Sequence, residues 1–285
     1  GWGMPYAITG MGGKHIVLRK VDGSEILKRI KEHHVTLLCG APAVIASILE
    51  AANEWEGEIP GTGTMRIVVA GAPPPTKTIE RVETELGWEF IQIYGLTETA
   101  PFVTMNRTRP EWDSKTAQER AVLLSSAGSP ALGIGVSTSP DGELLVRGNH
   151  VLKSYWEQPE ATEQALADGW FHTGDGATLG RDHYVTITDR KKDVIISGGE
   201  NISSIEVEDV LFSHPSVAEV AVIGVPDEKW GETVKALVVL SENELTDEQT
   251  LISYCRENLA HYKCPTSVDF LEELARTTTG KLQKF

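Results

Sequence analysis

The chain has 285 residues, 40% hydrophobic and 24% charged, which excludes a disordered protein and, at about one domain per 150 residues, predicts two domains. No stretch approaches the ~20 apolar residues of a membrane span, and 26 Lys and Arg against 41 Asp and Glu give a net charge of −15 that argues against a nucleic-acid partner. Cys39, Cys255 and Cys264 are widely spaced, and Gly1-Trp2-Gly3-Met4-Pro5 does not read as a secretion signal; free thiols in the cytoplasm are expected.

From residue 14 onward short β-rich runs alternate with helical ones. His15–Leu18 reads as a strand, Glu25–Glu32 as a helix, Val35–Cys39 as a strand, Ala43–Asn53 as a helix and Met65–Ala70 as a strand. Thr76–Leu86 and Phe90–Tyr94 continue the alternation, which predicts βαβ units and a parallel sheet. Between about residues 101 and 190 helical periodicity fades, and Glu143–Arg147 and Tyr184–Thr188 are the clearest strands of a small antiparallel, barrel-like region. The charged run Asp189-Arg190-Lys191-Lys192-Asp193 then marks a domain boundary. Beyond it, helix Ser204–Phe212, strands Val217–Gly224 and Val234–Leu240, helix Asp247–Leu259 and strand Ser267–Leu271 form an α+β unit. The predicted fold class is therefore α/β with a β-barrel-like region, followed by a small α+β domain.

Several familiar motifs fail. Thr279-Gly280-Lys281 lacks the upstream glycine and the following Ser or Thr of a phosphate-binding P-loop, Gly1-Trp2-Gly3 is no dinucleotide fingerprint, and neither Gly-x-Ser-x-Gly nor His-Glu-x-x-His occurs. Five weaker segments remain. Gly71-Ala72-Pro73-Pro74-Pro75 follows a strand, where open α/β sheets bind ligands, or is a proline-stiffened turn. Tyr94-Gly95-Leu96-Thr97-Glu98-Thr99 offers an aromatic ring for a planar base, a hydroxyl for a phosphate oxygen and a hard oxygen ligand for Mg²⁺. Its hydroxyl and carboxylate could equally cap a helix. Asp175, after His172-Thr173-Gly174, suits a ribose diol or an Asx-turn, and His172 itself suits a structural role. The charged run leads to Ser197-Gly198-Gly199-Glu200-Asn201, a glycine-rich element at the boundary or simply a solvated loop. Arg276-Thr277-Thr278-Thr279-Gly280-Lys281 presents one lysine near the C-terminus.

In this order the five segments resemble those of the adenylate-forming superfamily, and among its members the chain looks most like bacterial fatty-acyl-CoA synthetases. The resemblance implies the C-terminal part of a large AMP-binding domain over residues 1–191, with an α/β layer to about 125 and a β-rich region over 126–191. A small mobile domain over 192–285 would turn about a hinge at Lys192. It also implies that Gly71, Ala72 and Pro73 line the adenine and acyl side, that Tyr94 and Gly95 flank the adenine and the carboxylate pocket, that Thr97 meets the α-phosphate and that Glu98 holds Mg²⁺. Asp175, helped by Arg190, would take the ribose hydroxyls. Ser197, Gly198 and Gly199 would line the path of the CoA thiol, and Lys281 would bridge the attacking carboxylate and the α-phosphate. The implied substrates are a fatty or similar apolar carboxylic acid, ATP and CoA, in an assembly that could be a homodimer. Loading of a carrier protein and a non-catalytic nucleotide-binding module are the alternatives. The family's Gly/Ser/Thr-rich phosphate loop would lie upstream of residue 1, and Ala275 stands where many relatives carry Pro.

Overall fold

In the computed structural model, which describes residues 3–180, 182–242, 244–276 and 282–284, the chain folds as two units, Gly1–Thr173 with Ala177–Ile187 and Gly174–Gly176 with Thr188–Phe285. The first unit opens with α1 (Met4–Gly10), α2 (Gly23–His33), β1 (Leu37–Gly40), α3 (Pro42–Asn53), β2 (Arg66–Val69), α4 (Thr76–Thr84), β3 (Glu89–Gly95), β4 (Phe102–Arg107), α5 (Ala117–Leu124) and β5 (Ser129–Pro130). Local signals set these bounds. Asp22 caps α2 by accepting from Glu25 N at 2.9 Å, and His34 ends the helix in the left-handed region at φ 51°.

The five strands form one sheet in the order β1-β2-β3-β4-β5. β1, β2 and β3 run parallel, as the βαβ pattern predicts. β4 and β5 are antiparallel additions, so the sheet is mixed, because the short turn after β3 reverses the chain where a helical crossover would be needed to keep it parallel. Ile26, Leu27 and Ile30 of α2, Ile45, Ile48 and Leu49 of α3, and Ile79 and Val82 of α4 pack with Ile67, Val69 and Phe90 of the strands in one buried core. Burial of such side chains is the main stabilising term, about 1.5–3 kcal/mol for each.

Two expectations are corrected here. His15–Leu18 is not a strand: Val17 is 80% exposed, and the run packs only Leu18 against the core, so its alternation reports packing and not pairing. Helix α5 lies inside the region expected to lack helical periodicity. Its signal is the reciprocal cap between Thr116 and Glu119, and Ala121 and Leu124 are the buried residues that anchor it.

The antiparallel region is a four-stranded sheet, β6 (Gly135–Thr138), β7 (Glu143–Arg147), β8 (Phe171–Leu179) and β9 (Val185–Arg190), with α6 (Pro159–Ala165) between β7 and β8. Val103, Leu144, Val146, Phe171 and Val185 form its core. β8 and β9 contribute residues 174–176 and 188–190 to the second unit.

The second unit adds β10 (Ile195–Ser197), β11 (Glu200–Ile202), α7 (Ser204–Phe212), β12 (Val217–Asp227), β13 (Gly231–Leu240), α8 (Glu248–Asn258) and β14 (Ser267–Phe270). Its sheet runs β11-β10-β13-β12, with β14 pairing parallel to β13. Val207, Leu211, Val222, Val238, Leu251 and Cys255 lie in its core. No helix among the described residues is long and apolar enough to cross a membrane.

Candidate active site

In the first unit, β2 and β3 are adjacent and parallel, so the segments that follow them leave the sheet at the same edge. Gly71 takes φ 96°, a left-handed backbone that glycine adopts without Cβ strain, and Gly71, Ala72 and Pro73 are exposed. At the end of β3 the register shifts between Tyr94 and Gly95. A Cβ on Gly95 would lie 1.7 Å from the Pro101 carbonyl oxygen, so the close return of the chain requires glycine there. Tyr94 is half-buried at the margin of the antiparallel core.

Thr97–Thr99 is a single 3-10 turn. The buried Thr99 closes it: its hydroxyl accepts from Leu96 N at 2.9 Å and lies 2.7 Å from the Pro101 carbonyl oxygen. The capping role weighed for the segment therefore falls to Thr99, while Thr97 is exposed. Glu98 is half-buried, and its Oε1 accepts from the Tyr155 hydroxyl at 3.0 Å. Its backbone carbonyl accepts from Leu152 N at 2.8 Å. Burial and this bond together push the Tyr155 phenol up, so Tyr155 stays a donor at neutral pH.

Tyr155 escaped the sequence reading because it lies 57 residues from its partner and belongs to no motif. Among the described residues no group of three or more His, Cys, Asp or Glu could hold a metal by itself. One carboxylate fits an ion such as Mg²⁺, which keeps several waters and takes its other ligands from substrate phosphates. His172 Nδ1 sits 3.2 Å from Glu143 Oε2, the hydrogen-bonded structural arrangement weighed for it. Burial pushes the Cys39 and Cys264 thiols up and the Cys255 thiol up to about 12, which disfavours the thiolate in each.

An open depression of about 820 Å³ runs beside β4, where Phe102, Met105, Arg107 and Arg109 meet Leu132 and Tyr184. None of the motif residues lines it.

In the second unit, Asp175 is 6% exposed and lies 3.5 Å from Arg190 Nε. Lys191 N donates to the Gly174 carbonyl at 3.0 Å. The Arg190 carbonyl accepts from Asp193 N and Val194 N at 2.8 and 3.1 Å, so Lys192 occupies an exposed turn between β9 and β10. Gly198 and Gly199, at φ 59° and 89°, form the two-residue turn of the β10–β11 hairpin, in which Ser197 pairs with Glu200. Gly198 N donates to the Trp230 carbonyl at 2.9 Å, and a Cβ there would come within 2.9 Å of the Trp230 ring. Trp230 is 49% exposed and carries Lys229 Nζ 4.4 Å from its ring centroid. Sequence reading missed it, although an aromatic residue before Gly231 between two strands was the available signal. Lys281 lies outside the described residues.

The family model for the AMP-binding enzyme matches residues 1–156. The chain belongs to the AMP-binding enzyme family. A second model, for the AMP-binding enzyme C-terminal domain, matches residues 206–281. Among relatives in this family, the 2-methylpropanoate–CoA ligase CCL4 of Humulus lupulus is 43% identical over 302 residues, covering 100% of this chain and 53% of that protein. The peroxisomal trans-cinnamate:CoA ligase of Petunia hybrida is 38% identical over 298 residues, covering 100% and 52%. The chain thus spans about half the length of the curated relatives it matches. The structure of o-succinylbenzoate CoA synthetase from Bacillus subtilis in complex with an acyl-adenylate intermediate superimposes with a TM-score of 0.82 at 33% identity, covering 98% of this chain and 56% of that one. These relatives of the AMP-binding enzyme family are CoA ligases by name.

Proposed function

We propose that the full-length protein is an ATP-dependent acid–thiol ligase that makes a CoA thioester from an apolar carboxylic acid through an acyl-AMP intermediate. The observation that carries the reading is the Glu98 turn, where a half-buried carboxylate bonded by Tyr155 follows the glycine-ended strand β3. It stands beside the exposed Gly71-Ala72-Pro73 turn of the neighbouring strand. Membership of a family whose named relatives are CoA ligases supports it.

In the first half-reaction a carboxylate oxygen attacks the α-phosphorus of ATP, the bond to the β-phosphate oxygen breaks and pyrophosphate leaves. Two anions must meet, so cationic stabilisation is the main requirement, and it is worth several kcal/mol in such sites. Lys281 would supply it by bridging the carboxylate and the α-phosphate, with Thr97 bonding a phosphate oxygen. Mg²⁺, held by Glu98, would neutralise charge on the phosphates. Gly71, Ala72, Pro73, Tyr94 and Gly95 would border the adenine and the acid, and Asp175 with Arg190 would hold the ribose hydroxyls. In the second half-reaction the CoA sulfur attacks the acyl carbon and AMP leaves. Rotation about Lys192 would bring Ser197, Gly198 and Gly199 to the thiol, defining residues 192–285 as the small domain.

For the acid, we retain the apolar class, fatty acids included. The names of the two plant relatives add a small branched acid and an aromatic one to the compounds worth assaying. Three free cysteines fit a reducing compartment such as the cytoplasm, and the Petunia relative is named peroxisomal. Acid-dependent exchange of pyrophosphate into ATP should require Mg²⁺ and fall by about 10²-fold or more in Lys281→Ala, the scale seen on removing one such stabilising group. Exchange at the wild-type rate in that variant would contradict the role given to Lys281. Thioester formation on a phosphopantetheinylated carrier but not on free CoA would replace CoA as the acceptor.

A further inference from the structure

The second unit holds a buried charged network that none of the assigned roles uses. Lys284 Nζ lies 2.7 Å from Glu208 Oε1, and both side chains are largely buried, 16% and 18% exposed. The same ammonium donates to Ser204 Oγ at 2.5 Å, and Glu208 Oε1 also accepts from Val222 N at 2.8 Å. Burial pushes the Glu208 carboxyl up while Lys284 pulls it down.

Ser204 links this pair to the boundary segment. Its backbone N–H donates to Asp189 Oδ2 at 2.7 Å, and Asp189 Oδ1 accepts from Arg190 N at 2.8 Å. Asp189 is 3% exposed. Ser203, the cap of α7, donates to the Thr188 carbonyl. The N-terminal turn of α7 therefore ties two stretches that are distant in sequence, residues 188–190 and the segment at Lys284.

The chain on both sides of residues 277–281 is also held. Arg276 pairs with Leu282 as an antiparallel bridge, Gln283 N donates to the Ala275 carbonyl at 2.9 Å, and Arg276 meets Glu219 at 3.0 Å. The Arg276 pair is partly exposed on both sides, at 31% and 40%, and such pairs contribute little. The buried Lys284 pair is the stronger anchor, because separating it would leave a charge without a partner.

We propose that Glu208 and Lys284 are positioning residues whose ion pair, joined through Ser204 to Asp189, clamps the chain after residues 277–281 to α7 and sets where Lys281 is delivered during adenylate formation. The inference rests on the role given above to Lys281. It assigns the pair to the first half-reaction alone, since Lys281 has no task once pyrophosphate has left.

The test compares the two half-reactions in the full-length protein. Glu208→Gln, Lys284→Met and the double variant, which strands no buried charge, are measured by acid-dependent pyrophosphate exchange and by thioester formation from supplied acyl-AMP and CoA. A misplacement of about 1 Å costs on the order of 10²-fold, so exchange should fall by about 10- to 100-fold with little change in KM for ATP. Thioester formation should stay within about twofold of wild type, which also reports that the variants fold, and Lys284→Arg should recover part of the loss. Placed on a Lys281→Ala background, either substitution should add little, because groups that act as a unit are not additive. Equal losses in both half-reactions, or none in exchange, would overturn the proposal. If Lys281→Ala itself left exchange unchanged, the role of Lys281 would fail first, and the two failures are thereby distinguished.

Discussion

Glu98 shows how much of the site one residue pair decides. A lone carboxylate near the end of a strand could rotate freely, but the Tyr155 hydroxyl, 3.0 Å from Oε1, leaves Oε2 as the oxygen to offer. Tyr155→Phe removes one hydrogen bond to a charged group, worth about 1.5–3 kcal/mol. The half-saturating Mg²⁺ concentration for pyrophosphate exchange should therefore rise about tenfold or more, and the melting temperature should fall by about a few degrees. An unchanged Mg²⁺ dependence would mean that Tyr155 is a packing residue only. The motif around Glu98 was legible in the sequence because its residues are consecutive. Tyr155 was not, because hydrogen bonds across 57 residues leave no local pattern. The division of labour between Thr97 and Thr99 was equally hidden: both are hydroxyls beside the same glutamate, and only the fold shows which one faces the returning backbone at Pro101.

Among the elements, helices with caps and strands with continuous apolar runs were readable, since both signals act within a few residues. Helix Ser204–Phe212 occupies the expected span, capped by Ser203 accepting from Glu206 N at 3.3 Å. His15–Leu18 misled because a strand needs a partner, and alternation alone does not supply one. The reversal of β4 was hidden for a similar reason: it depends on the close contact of Gly95 with Pro101 and not on any property of Phe102–Arg107.

The β10–β11 hairpin carries the sharpest prediction at this scale. Gly198 combines φ 59° with a Cβ position 2.9 Å from the Trp230 ring. Gly198→Ala should lower stability by about 1–2 kcal/mol, read as a shift in the denaturation midpoint of the full-length protein. It should also slow thioester formation from acyl-AMP more than pyrophosphate exchange. A variant that slows the two half-reactions equally would remove this turn from the CoA path.

At the scale of the whole molecule, composition and charge bear on how substrates are recognised. The net charge of −15 sits on a chain whose proposed substrates are themselves anionic, so on the proposed function recognition would come from a few placed groups, Arg190 and Lys281 among those proposed, and not from the overall field. The split of the chain at residues 174–176 and 188 could not be read from the sequence, because it runs through β8 and β9 and not between elements. The charged run at 189–193 marked only one of its crossings. Membership of the AMP-binding enzyme family, with relatives named as CoA ligases, supports the proposed class of chemistry, while the acid is a matter of pocket residues that no motif encodes.

The most direct measurement is the product balance of the full-length protein supplied with ATP, Mg²⁺, CoA and a panel of apolar carboxylic acids, from small branched and aromatic acids to long-chain ones. Formation of acyl-CoA with one AMP and one pyrophosphate released per thioester is the predicted result. Release of ADP and phosphate, or an absence of thioester with every acid tested, would contradict it.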